Sequence, residues 1–133
     1  MKKLENFKHA YNNLLDINLY HEPYDNVVLT GLVGLYEICF EQSWKAMKEI
    51  LEEQGFAREK TGSPRLVLKT AYAAGMIHDE ILWLEALAAR NNVAHSYNRA
   101  VALDIVNQTR NKFLEMFQKL IIELEMNWVV ENI

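Results

Sequence analysis

Apolar side chains recur every three or four residues along almost the whole chain, which is the spacing of residues on one face of an α-helix. The clearest series runs through the segment 24–54 and consists of Leu29, Val33, Tyr36, Phe40, Trp44, Met47 and Leu51. Only five glycines and two prolines occur among the 133 residues, and no segment shows a convincing β-strand pattern. The sequence therefore predicts an all-α fold, an antiparallel bundle of about five helices that forms a single domain over 1–133.

Residues that favour helix ends predict where the helices begin and end. Helix one is expected over 2–19 and helix two over 24–54, with Gly55 at the C-terminal end of helix two. A polar loop over 56–62 precedes helix three, which should start at Ser63 and Pro64 and end near residue 74. Asp79 should cap helix four, and helix five should run from about residues 98–100 to residue 128.

The first half of helix two is apolar on more than one face. The residues off its main stripe are Val27, Val28, Leu32, Leu35, Ile38 and Cys39. A helix that is apolar on several faces has to be covered on several faces, and a small domain offers limited cover. We therefore expect a second copy of the chain to supply the rest, which predicts a homodimer.

Bulk properties exclude some classes of protein. The net charge of −4 argues against a protein that coats nucleic acid non-specifically, because such binding needs a broad positive field. Lys2 and Lys3 are not followed by the apolar stretch of a signal peptide, and no apolar run is long enough to span a membrane. Cys39 has no cysteine partner and apolar neighbours, so we expect a core thiol in a cytoplasmic protein.

The strongest candidate for chemistry is the segment 90–97, which follows the apolar run 81–89. Arg90, Asn91, His95 and Tyr97 place a guanidinium, a carboxamide, an imidazole and a phenol close together in sequence. Arginine recognises phosphate with two donors, and histidine transfers protons near neutral pH. The segment therefore suggests phosphate or nucleotide chemistry.

The spacing of Arg90 and His95 leaves several geometries open. Five residues apart on an ideal helix, they point about 140° away from each other. They could meet at one phosphate if the helix ends or distorts between them, or if two copies of the segment face each other across a dimer axis. In a purely structural interpretation, both residues cap the end of helix four and bond to nearby carboxylates.

If the segment cleaves RNA, each residue type has a role. His95 would take a proton from the ribose 2′-hydroxyl or give one to the leaving oxygen. Arg90 would stabilise the charge of the transition state, and Asn91 would orient the imidazole. No metal or other cofactor is expected, because the four histidines are scattered and lack metal-binding spacing.

A second, weaker candidate lies on helix two. Glu37 and Glu41 are four residues apart and share a face, with Lys45 one turn further on. The three residues are possible contacts for a substrate or a partner protein. In the alternative interpretation they form a solvated or salt-bridged surface.

The motifs resemble those of a known family. Arg90-Asn91-x-x-x-His95 is similar to the signature of HEPN domains, and with Tyr97 it resembles the longer form found in HEPN toxins. The helix-two pattern Tyr36-Glu37-x-x-Phe40-Glu41-x-x-Trp44-Lys45 resembles that of the nucleotidyltransferase substrate-binding protein family. Further blocks of that family resemble Leu4-Glu5-Asn6-Phe7, Ser63-Pro64-Arg65 and Leu82-Trp83-Leu84, so that the resemblance covers nearly the whole chain.

This resemblance implies a dimeric helical bundle that works beside a small nucleotidyltransferase subunit. The implied function is a substrate-binding, HEPN-like partner that binds nucleotide or RNA phosphate at Arg90-x4-His95. The alternative that it implies is a metal-independent endoribonuclease toxin, which the nucleotidyltransferase silences by adding AMP to a tyrosine. By position that tyrosine would be Tyr97, where a bulky anion would block the site and neutralise Arg90.

Overall fold

The computed structural model of the protein describes residues 1–56 and 62–129, and all the regular secondary structure in these ranges is helical. Six α-helices occur there: α1 (Lys2–Leu14), α2 (Asn26–Glu53), α3 (Pro64–Ala73), α4 (Glu80–Asn92), α5 (Arg99–Gln108) and α6 (Leu114–Glu123). No β-strand is present in the described ranges, and the prediction of an all-α fold is confirmed. Most of the predicted loop over 56–62 lies outside the described residues.

Two of the predicted helices are less regular than expected. Helix one is α-helical only to Leu14 and continues as a 3₁₀ helix over Leu15–Leu19. Helix five consists of α5 and α6, joined by a π-helical turn over Thr109–Phe113 and followed by another over Leu124–Trp128. The first π turn begins at the buried Thr109, whose hydroxyl donates to the carbonyl of Ile105 at 2.7 Å. A threonine bonded in this way to the preceding turn distorts a helix.

The helix ends follow the chemistry of their capping residues. The Ser63 hydroxyl accepts from the amide of Leu66, and the Asp79 carboxylate accepts from the amide of Leu82 at 3.0 Å, so both predicted N-caps are confirmed. Gly55 ends the second helix with φ +78°, a left-handed conformation that favours glycine. The start of α2 falls at Asn26 rather than at residue 24, because Asp25 accepts from the amide of Val28 at 2.8 Å and acts as the cap.

The core is built around α2, which packs against α1, α3, α4 and α5. Phe117 of α6 joins the remaining layers: its ring lies 6.0 Å from Phe7, 6.2 Å from Tyr36 and 5.8 Å from Trp83 between centroids. Aromatic rings at such distances and tilts pack favourably. This cluster connects α1, α2, α4 and α6, and it fixes α4, which leads into the segment 90–97.

Much of the apolar surplus predicted on α2 is covered within one chain. Leu32 and Cys39 are buried, and Val28 and Leu35 are half-buried, because four helices surround α2. Val27 and Ile38 remain exposed, at 82% and 54%. The uncovered apolar surface of α2 is therefore smaller than the sequence pattern suggested.

No helix in the described ranges combines the length and the apolar character needed to cross a membrane.

Candidate functional site

The segment 90–97 lies at the junction between α4 and α5. Arg90 and Asn91 occupy the last turn of α4, and Val93–His95 forms a 3₁₀ turn. The amide of Asn98 donates to the carbonyl of His95 at 3.0 Å, and the Asn98 side chain accepts from the amide of Ala100 at 2.9 Å as the N-cap of α5. The α-helix therefore ends between Arg90 and His95. This is one of the arrangements that the sequence left open for bringing the two residues to one phosphate.

Arg90 is held by two neighbouring side chains. Its Nε donates to Glu41 Oε1 on α2 at 2.5 Å, and its Nη1 donates to the adjacent Asn91 Oδ1 at 3.1 Å. The other carboxylate oxygen of Glu41 accepts from the indole Nε1 of Trp44 at 3.0 Å. The basic partner of Glu41 is therefore Arg90 rather than Lys45, and Nη2 of Arg90 donates to no residue in the described part of the chain.

His95 and Tyr97 lie on the surface after the end of α4. Their ring centroids are 6.4 Å apart in an edge-to-face arrangement, and Tyr97 is 87% exposed. Within 1–56 and 62–129, no side chain forms a hydrogen bond or an ion pair with the imidazole of His95. Within one chain, Asn91 is therefore hydrogen-bonded to Arg90 and not to His95. No hydrogen bond connects Arg90 with His95 in the described part of the chain.

The other candidate residues on α2 do not share the position of Glu41. Glu37 and Lys45 are half-buried, and neither takes part in an ion pair among the described residues. Lys45 lines a shallow pocket of about 460 Å³ with Trp44 and two other lysines. Since Glu49, Glu52 and Glu53 line the same pocket, it does not offer the positive field that an anion would need.

A larger groove of about 500 Å³ lies between the start of α4 and the outer face of α6. Its walls are mainly apolar and include Met76, Leu82 and Met116. Some of the charged groups that line it are paired with each other, for example Lys119 with Glu115 at 3.2 Å. No residue of the segment 90–97 lines this groove, so the groove and the candidate phosphate site are separate features.

Burial leaves two potential nucleophiles in the core unreactive. Burial raises the pKa of the Cys39 thiol, and it also raises the pKa of the Tyr36 phenol, to which the nearby Cys39 adds a smaller increase. Both groups are therefore protonated near neutral pH. Among the described residues, no group of three or more histidine, cysteine, aspartate or glutamate side chains is arranged to hold a metal ion.

The structural interpretation of the sequence allowed Arg90 to bond to a nearby carboxylate, but it identified neither Glu41 as that carboxylate nor the contact of Glu41 with Trp44. Glu41 and Trp44 are three residues apart on one helix, so their contact could have been inferred from spacing. Arg90 is 49 residues further along the chain, and no local pattern relates it to Glu41. Only the packing of α4 against α2 brings the two together.

Comparison with known proteins matches residues 2–126 to a protein family described as nucleotidyltransferase substrate binding protein like. No curated protein matched the chain. A crystal structure of a Thermus thermophilus protein is 23% identical with a TM-score of 0.71, and the match covers 90% of this chain and 95% of that one. A Haemophilus influenzae structure, described as revealing the fold of a substrate binding domain of a nucleotidyltransferase, is 21% identical with a TM-score of 0.78. That match covers 92% of this chain and 99% of the other. At these identities the two structures show a common fold.

Proposed function

Because the chain belongs to the nucleotidyltransferase substrate binding protein like family, we propose that it is the helical partner subunit of a two-component nucleotidyltransferase system. In this proposal it binds nucleotide or RNA phosphate at the segment from Arg90 to His95. The observation that carries the proposal is the anchored guanidinium of Arg90, whose Nε and Nη1 are bound to Glu41 and Asn91 while Nη2 keeps its donors. An arginine held in one orientation with donors left over is suited to phosphate oxygens.

A homodimer would complete this site. His95 belongs to the same surface segment but is not joined to the Arg90 of its own chain. Exposed apolar residues on the two helices that flank the site, Ile38 of α2 and Ile81 of α4, are 54% and 73% exposed. We propose that a second copy covers part of this surface and brings its His95 towards Arg90.

Binding measurements test the phosphate site. We expect Arg90→Ala to weaken binding of a short single-stranded RNA or of AMP by about tenfold or more, since hydrogen bonds to charged groups contribute about 1.5–3 kcal/mol. The matched control is Arg65→Ala, which removes an exposed arginine from α3. Fluorescence anisotropy of labelled RNA gives the dissociation constants. Equal affinities for the wild type and Arg90→Ala would reject the site.

The partner relation is tested by co-expression with the small nucleotidyltransferase that this proposal expects to be encoded beside the chain. A stable complex that survives gel filtration is the expected result. The absence of a nucleotidyltransferase in the neighbouring gene would count against the partnership.

A second candidate function is a metal-independent endoribonuclease that is switched off by AMP on Tyr97. The observation that favours it is the position of Tyr97, 87% exposed with its ring beside that of His95. In cleavage, a base removes the 2′-hydroxyl proton, the 2′-oxygen attacks phosphorus, and the bond to the 5′-oxygen breaks as that oxygen gains a proton. In silencing, the Tyr97 oxygen would attack the α-phosphorus of ATP, releasing pyrophosphate and the phenolic proton.

Two matched comparisons test this second function. RNA cleavage in EDTA should be lost in His95→Ala and kept in His9→Ala, which removes an exposed histidine of α1. After incubation with the nucleotidyltransferase and ATP, a mass increase of one or more AMP units should be lost in Tyr97→Phe and kept in Tyr72→Phe. Cleavage that survives His95→Ala would refute the role of His95, and AMP found on another residue would refute that of Tyr97.

A further inference from the structure

The contact between α2 and α4 that involves Arg90 is one step in a chain of three side chains. Trp44 Nε1 donates to Glu41 Oε2 at 3.0 Å, and Glu41 Oε1 accepts from Arg90 Nε at 2.5 Å. The side chains of Arg90 and Glu41 are 28% and 24% exposed, so that solvent reaches only part of the pair. Both oxygens of the Glu41 carboxylate are therefore used, one by each neighbour.

The two helices are also held together by contacts that precede Glu41 in α2 and Arg90 in α4. One turn before Arg90, the carbonyl of Ala86 accepts from the Tyr36 hydroxyl at 2.5 Å. Next to Glu41, the ring of Phe40 packs 6.3 Å from that of Trp83. Since these contacts are buried, the backbone positions of Glu41 and Arg90 are set by the core and not by their own ion pair.

The direction of the Glu41 contact decides which part of the guanidinium remains available. Glu41 takes the Nε hydrogen, and Asn91 takes one hydrogen from Nη1. Glu41 accepts from Arg90 through Oε1 only, while its Oε2 accepts from Trp44, so the two residues do not form the two-pronged pair that would also occupy Nη2. The donors of Nη2 are left for a ligand, in an orientation that Glu41 determines.

We infer that Glu41, itself oriented by Trp44, is a positioning residue that holds Arg90 for phosphate recognition. This inference rests on the proposed function, since it assigns a role within the same site. It gives Glu41 a task different from direct contact with a substrate or partner. A carboxylate beside an arginine also lowers the local positive charge, and the opposite role, masking Arg90 from phosphate, makes the opposite prediction for affinity.

The test compares RNA affinity across a set of variants, with the anisotropy assay described for Arg90. Glu41→Ala should weaken binding of the short RNA by about tenfold, because Arg90 loses its fixed orientation. Glu41→Gln, which keeps an oxygen acceptor, should recover much of that loss, and Trp44→Phe should weaken binding by about two- to threefold. Glu52→Gln, an exposed position on the same helix, is the matched control and should bind as the wild type does. Equal or tighter binding by Glu41→Ala would overturn the positioning role.

A spectroscopic readout separates this inference from the proposed function. In ¹⁵N-correlated NMR spectra, the Nε–H of Arg90, assigned by its loss in Arg90→Lys, should exchange slowly in the wild type and rapidly in Glu41→Ala. A signal that is missing from the wild type, or unchanged in Glu41→Ala, overturns the inference whatever the RNA result. If the signal behaves as expected but the wild type binds neither RNA nor AMP, the proposed function is rejected, and the phosphate role of Glu41 is rejected with it.

Discussion

Two tyrosines of this protein illustrate how burial changes the chemistry of the same side chain. Tyr36 of α2 is fully buried, donates its hydroxyl proton to the carbonyl of Ala86 in α4, and has a raised pKa because burial disfavours the phenolate. Tyr97 lies on the surface two residues after His95. At the scale of single residues, Tyr36 serves the packing of α4, and Tyr97 is the one accessible to a second protein.

The buried thiol of Cys39 predicts a pH dependence of stability. Burial raises its pKa in the folded state, so the folded protein binds this proton more tightly than the unfolded chain does. The contribution is complete below the unfolded pKa of about 8.5 and is lost progressively as the pH rises above it. Between pH 7 and about pH 9.5, the wild type should lose about 1.4 kcal/mol more unfolding free energy than Cys39→Ala. Urea denaturation at the two pH values measures the difference, and equal losses in both proteins would contradict the prediction.

At the scale of helices, the segment 90–97 belongs to a region in which the N-termini of both α4 and α5 are capped by side chains. Asp79 caps the start of α4, and Asn98 caps the start of α5 directly after the turn that carries His95 and Tyr97. The backbone of this turn is bonded to itself, from Ser96 to the carbonyl of Val93 at 3.0 Å. The exposed side chains are thus displayed by a short, hydrogen-bonded connection.

The cap of α4 can be tested on its own. Asp79→Ala removes the acceptor for the amide of Leu82 and should lower the unfolding free energy by about 1 kcal/mol. Asp79→Asn, which keeps an oxygen acceptor, should restore most of the loss. The control is Asp16→Ala, at an exposed position outside the α-helices, where we expect little change. Urea denaturation followed by circular dichroism is suitable, and equal losses at both positions would argue that charge, and not capping, matters.

At the scale of the whole molecule, the arrangement of the helices separates the two halves of the candidate site. Arg90 is tied inwards to α2, and His95 lies on the surface beyond the end of α4. If two copies of the chain combine their segments in one site, a variant of Arg90 and a variant of His95 should restore activity when they form a mixed dimer. A site within a single chain does not allow this.

Mixed dimers test that hypothesis. Arg90→Ala and His95→Ala should each lack ribonuclease activity when pure. If each site takes Arg90 from one copy and His95 from the other, co-refolding them in equal amounts should restore roughly a quarter of the wild-type activity, since half of the dimers are mixed and each mixed dimer holds one intact site. Activity is measured on labelled RNA in EDTA. If wild-type cleavage occurs but the mixture stays inactive, the two residues act within one chain.

The sequence predicted much of the fold because its signals are local. Ser63, Asp79 and Gly55 act through neighbouring amides or their own backbone angle, so their roles could be read directly. The π turn at Thr109 was not predicted. It accompanies a hydrogen bond from the buried Thr109 hydroxyl to the Ile105 carbonyl, and this bond does not change the spacing of the apolar residues.

For the candidate site, the sequence by itself determined which chemical groups are present, and it left open whether the α-helix that carries Arg90 ends before His95. It placed Glu37, Glu41 and Lys45 on one face of α2, but it did not predict the contact between Glu41 and Trp44, although residues three apart on a helix are neighbours. Only the tertiary structure decided that Glu41 pairs with Arg90, that Asn91 bonds to Arg90 and that His95 remains apart from both. The physical reason is that the aromatic core fixes how α4 packs against α2. This packing brings together residues that are far apart in sequence and that no local sequence pattern relates.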